Sequence, residues 1–243
     1  MKKQFLFTAV IISGILFSCT KEGVETQSTN NPDNAERSGK PIVLDPLSVN
    51  LEGWFAFDGN LHDKTSQLAD AVPTSRAYIF GTDRKGNLKS AMYFDSTYGL
   101  NIYNVPQQTN TSVSAWVKYV NPMQLSLRIF GPDGTGPIVG QNQDKLIGAV
   151  EIDTYGSFGD GMGVVADSKW HHIAVTYDGT SIKVYLDGVL KSTYAKVGTI
   201  SPTTVKYIVG RDLFGRNWKG YVDELRFYSR TLTASDVTAL YNK

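Results

Sequence analysis

Residues 170–193 read WHHIAVTYDGTSIKVYLDGVLKST. Apolar and polar residues alternate through this stretch, the period of a strand with one buried face. Ile182, Val184 and Leu186 point one way and Lys183 and Tyr185 the other. Asp178-Gly179 and Asp187-Gly188 each follow such a run, and Asp-Gly favours tight hairpin turns. The stretch therefore predicts a three-strand antiparallel meander.

The same alternation spreads outward. Residues 112–120, SVSAWVKYV, place Val113, Ala115 and Val117 on one side and Trp116 and Lys118 on the other. Residues 221–229, YVDELRFYS, form another such run, bounded like the others by turn formers. No long amphipathic helix or heptad pattern occurs. Only the tail, TLTASDVTALY, reads as helical: Thr233 caps, Asp236 suits the first turn, and Val237 and Leu240 face inward. Many short strands and one short C-terminal helix predict an all-β, two-sheet antiparallel sandwich.

The chain of 243 residues opens with Lys2 and Lys3 and an apolar run from Phe5 to Phe17. This is the layout of a secretory signal over residues 1–18, too short to span a bilayer. Leu16-Phe17-Ser18-Cys19 resembles a bacterial lipobox, in which the cysteine is lipidated. Cys19 is the only cysteine, so with it acylated thiol catalysis, disulfides and Cys-ligated zinc are all excluded. Residues 19–40 are polar and read as a lipidated N-terminus and disordered tether, and residues 41–243 as one domain. The net charge of +1 offers no electrostatic case for nucleic acid. Membrane attachment through Cys19 would come from lipid, on the periplasmic or cell-surface face of an outer membrane.

Five stretches in order, WFAFDGNLHDKTS, AMYFDSTYGLNI, SVSAWVK, WHHIAVTYDGTSIKVYLDGVLKST and FGRNWKGYVDELRFYSRTLTASDVTALY, resemble the signatures of laminin-G-like, concanavalin A-like jelly-roll domains. The chain is similar to lipoproteins of bacterial, Bacteroidetes-like type that carry them. This resemblance implies a jelly-roll sandwich, frequent glycan binding and often a structural calcium ion.

Glu151-Ile152-Asp153-Thr154-Tyr155 resembles the E-x-D-x-E strand of laminarinase-type hydrolases, but the fifth position is Tyr155. Glycoside hydrolysis needs two carboxyl groups, and a phenol is a poor acid/base at neutral pH. Catalysis is therefore the minority expectation, and binding the better use of such a face. Trp116, Glu151, Asp153, Tyr155, Lys183 and Tyr185, gathered on one sheet, would offer aromatic plates and hydrogen-bonding groups to a sugar. Tyr98, Tyr103, Phe158 and Trp218 are further loop candidates.

Asp223 shares parity with Leu225 and Phe227, which predicts a carboxylate facing the interior, costly unless paired or metal-bound. The resemblance implies that Asp63 and Asp223, with Asp58 as a weaker candidate, hold calcium (Ca2+) through oxygen ligands. Adjacent His171 and His172 face opposite sides of a strand and cannot chelate one ion together. The sequence thus predicts a monomeric, non-catalytic, lipid-anchored module that recognises a polysaccharide or glycan. A hydrolase or lyase with an unusual site, or a protein-binding adhesion module, are the alternatives.

Overall fold

A computed structural model describes residues 45–120, 127–142, 145–152, 157–164, 167–212, 214 and 217–243. They belong to a unit spanning Val43–Lys243. The signal segment, the tether with Cys19, and Asp153 and Tyr155 lie outside the described residues.

After a single 3-10 turn, Pro46–Ser48, come strands β1 (Leu51–Phe55), β2 (Val72–Pro73), β3 (Ile79–Gly81), β4 (Ala91–Asp95) and β5 (Leu100–Gln107). They continue as β6 (Thr111–Tyr119), β7 (Leu127–Pro132), β8 (Gly136–Asn142), β9 (Lys145–Glu151) and β10 (Ser157–Val164). The last are β11 (Trp170–Tyr177), β12 (Ser181–Leu186), β13 (Val189–Ala195), β14 (Thr203–Val209) and β15 (Lys219–Tyr228), followed by helix α1 (Ala234–Tyr241). The first sheet runs β13-β12-β11-β6-β15-β4-β3, with β1 also paired to β15. The second runs β10-β9-β8-β7-β14-β5-β2, and every pairing in both is antiparallel.

The predicted meander is β11-β12-β13. Asp187 and Gly188 both take positive φ, 52° and 77°, as the two-residue hairpin between Leu186 and Val189 requires. Between the sheets, Val113, Ala115, Val117, Ile182, Val184 and Leu186 meet Leu146, Val150, Tyr207 and Val209. Tyr207 sets its ring edge-on to Phe227 at 4.6 Å and donates its hydroxyl to the Pro137 carbonyl at 2.9 Å. Burying each such side chain contributes about 2 kcal/mol, and the polar tip needs a partner to keep that gain. Gly148 lets β9 approach closely, since a Cβ there would sit 2.7 Å from Val175 and 2.9 Å from Val184.

A second, smaller core lies on the outer face of the first sheet. There Val237 and Leu240 of α1, with Leu47 and Leu232, cover Ala174, Tyr185 and Tyr228. The helix starts as the sequence predicts: Thr233 Oγ1 accepts from Asp236 N while the Asp236 carboxylate accepts from Thr233 N, a capping box.

Candidate functional site

Antiparallel register turns the outer face of the first sheet into cross-strand rows. One row reads Tyr185–Ala174–Ser114–Arg226–Trp54, and helix α1 covers its Tyr185 end. The next reads His172–Trp116–Asp223. Two side chains close it: Tyr241 stacks on Trp116 at 5.5 Å, and the Arg84 guanidinium lies 4.9 Å from the Trp116 ring centre. Beyond it comes Trp170–Lys118–Tyr221–Tyr93–Ile79, one residue from each of β11, β6, β15, β4 and β3. These side chains are only half-buried or exposed. Tyr93 and Tyr221 lie 4.6 Å apart and tilted by 35°, and Trp170 stands 5.9 Å from Tyr221. The Lys118 ammonium is 5.4 Å from the Tyr221 ring centre. Gly81 gives Tyr221 room to lie flat, because a Cβ would fall 2.4 Å from its ring.

The closed row carries unusual electrostatics. Asp223 is almost fully buried and paired to Arg84 at 2.9 Å. Burial, and then the charge of Glu224, push its carboxyl up to about 7 against the pull of Arg84. Burial pushes His172 down to about 3, so it is neutral, and its Nδ1 has no hydrogen-bond partner among the described residues. His171 faces the other way and sits between Asp187, 2.8 Å, and Asp167, 3.1 Å, which raise its pKa.

Among the described residues, the predicted glycan face does not assemble. Trp116, Lys183 and Tyr185 do share the outer face of the first sheet, as their parity requires, but Trp116 and Tyr185 are buried under Arg84 and α1. Lys183 lies at the helix side, opposite Thr176 and Thr193. Glu151 is on β9 of the second sheet, 3.6 Å from Arg128. Tyr98 and Trp218 are core residues and not loop contacts: Trp218 Nε1 donates to Gln141 at 3.0 Å, and Tyr98 hydroxyl accepts from Ile79 N. Tyr103 is exposed on the second sheet, and Phe158 takes a register position opposite Ala149.

Comparison with known proteins agrees with this architecture. A laminin-G-type family model, described as the concanavalin A-like lectin/glucanases superfamily, matches residues 95–238. The chain belongs to this superfamily. Among solved structures it is similar to domain 4 of AbnA, a GH43 extracellular arabinanase from Geobacillus stearothermophilus, in complex with arabinotriose. That likeness has a TM-score of 0.68 and 22% identity over 79% of this chain and 98% of that one. The binding domain of Paraclostridial Mosquitocidal Protein 1 gives 0.62 at 15% identity, over 79% of this chain and 52% of that one. Botulinum neurotoxin type C, whose cell entry depends on interaction with two ganglioside molecules, gives 0.59 at 11% identity over 79% and 51%. The chain thus spans only about half of the toxin chains. No curated protein sequence matches the chain.

Within this superfamily fold, the two carboxylates expected to hold calcium are filled by hydrogen donors. Asp63 accepts from the backbone N–H groups of Trp54, Thr65, Gln67 and Leu68 at 2.7–3.1 Å and from the Thr65 hydroxyl at 2.6 Å. Those bonds hold its pKa down despite burial, and they make it a loop anchor. Asp223 faces a guanidinium, and Asp58 is exposed and paired with Lys64 at 2.6 Å. A calcium ion needs six to eight oxygens, and no group of three His, Cys, Asp or Glu side chains converges among the described residues. These residues do not fit the ion.

Parity at Asp223 is also corrected. Glu224 takes φ +53° in a bulge between Asp223 and Arg226, so the strand changes phase there. Asp223 shares the outer face with Tyr221, whereas Val222, Leu225 and Phe227 enter the core. Sequence reasoning missed Trp170, Tyr221 and Tyr93. Trp170 keeps the parity of His172 and Tyr221 that of Asp223, whereas Tyr93 lies on a strand with no candidate of its own, and only the strand order joins the three.

Proposed function

We propose that the protein is a non-catalytic glycan-recognition module, held at a bacterial outer membrane by acyl groups on Cys19. The observation that carries this reading is the open Trp170–Lys118–Tyr221–Tyr93 row. Sugars present apolar C–H faces and hydroxyls together, and such a row supplies rings for the first and an ammonium donor for the second. Similarity in fold to an arabinanase domain bound to arabinotriose adds support. The non-catalytic part rests on Tyr155 standing where a second carboxylate would be needed, and on Glu151 having a guanidinium beside it.

A polysaccharide and glycan array, run with the purified protein in calcium and again in EDTA, tests the reading. A specific hit is expected in both buffers, and Tyr93→Ala and Trp170→Ala should each weaken it about tenfold or more. Turnover of a bound polysaccharide, abolished by Glu151→Gln, would replace this reading with a hydrolase. A blank array with capture of a specific protein partner would replace it with an adhesion module.

A further inference from the structure

We propose that the open row takes a carboxylate-bearing saccharide, with Lys118 as the charge that selects it; this rests on the glycan reading above. Three lysines lie near the row: one is ion-paired, and one faces a carboxylate across the register. Lys169 pairs with Asp167 at 3.0 Å. Lys219 stands opposite Asp95 in the register and helps to lower its pKa. Lys118, at the centre of the row, has no carboxylate partner among the described residues.

What Lys118 does have is the face of Tyr221 at 5.4 Å. A cation over a ring gains a modest attraction but leaves its N–H donors without a lone pair to meet. The ring therefore positions the ammonium and does not satisfy it. Nearby acids are engaged elsewhere: Asp223 with Arg84 at 2.9 Å, and Asp95 with the backbone N–H and hydroxyl of Thr97 at 2.8 and 2.6 Å. The row thus joins three rings to one uncompensated positive charge. A sugar acid matches that pairing, since its ring offers C–H faces while its carboxylate accepts charge-assisted hydrogen bonds from Nζ. A neutral sugar would take the N–H donors but leave the charge itself uncompensated.

Binding titrations on charge-matched pairs test this: trigalacturonate against its methyl ester, and sialyllactose against lactose. The two pairs separate a uronate from a sialate source. In at least one pair the acid should bind about tenfold or more tightly than its neutral partner, with the gap shrinking at high salt. Lys118→Gln should close the gap by weakening the acid far more than its neutral partner, while Tyr221→Leu weakens both members alike. Circular dichroism of each variant confirms that it folds. Equal or tighter binding of the neutral member in both pairs overturns the acidic class and leaves glycan recognition standing. A gap that persists in Lys118→Gln also overturns it, because the charge is then read elsewhere. Failure of the array and of all four saccharides together overturns both proposals.

Discussion

The two ends of the first sheet's outer face are built from the same kinds of residue and have opposite fates. At one end Tyr185, Ala174 and Tyr228 are sealed beneath α1; at the other, Tyr93, Tyr221 and Trp170 stay half-open to solvent. Between them, Trp116 and Asp223 are closed by two single side chains, Tyr241 from the helix and Arg84 from the loop between β3 and β4. What separates a core from an open face here is not aromatic content or alternation. It is whether another part of the chain lies on top.

The largest way to break that contrast is to strip the helix. Val237→Ala with Leu240→Ala should cost about 4 kcal/mol of unfolding free energy, read from the urea midpoint, since both side chains are fully buried. A loss under about 1 kcal/mol would mean that α1 does not hold that end closed.

Next in size is the Arg84 closure. Asp223 has a raised folded pKa, so the stability from its protonated form is full below the ordinary carboxyl value and is lost as pH rises through about 7. Arg84→Met leaves that carboxylate buried without its partner. It should destabilise by about 3 kcal/mol at pH 8 and by clearly less at pH 5, where protonation removes the unpaired charge. An equal loss at both pH values would show that Arg84 acts by packing on Trp116 alone.

The smallest effect concerns the start of the helix. Thr233→Ala removes one half of the capping box and should cost about 1 kcal/mol in the same urea assay, with no change in saccharide affinity. A change in affinity would tie the covered end to the open one.

Much of the fold was legible because alternation and turn chemistry agree. Asp187-Gly188 demanded a two-residue hairpin and made one; Thr233 and Asp236 predicted the helix cap that forms. Side-chain parity was right for Trp116, Lys183 and Tyr185. Parity cannot say which sheet a strand joins, and so Glu151 was grouped with residues that lie on the other side of the sandwich. Nor does it reveal covers that arrive from afar, such as Arg84 and Tyr241, which turned the chosen aromatics into core. The open row remained hidden for the same reason: Tyr93, Lys118, Trp170 and Tyr221 are scattered along the sequence and meet only through strand order.

The extra residue at Glu224 has a consequence for how this molecule could change. It divides β15 into two segments whose inside–outside assignments are set independently, and its carboxylate accepts from the Trp54 indole N–H at 2.7 Å, anchoring the joint. Substitutions or a shift of register in the Tyr221 segment need not propagate into the segment under the helix. The open face can change at one end of a strand while the other end keeps the domain folded.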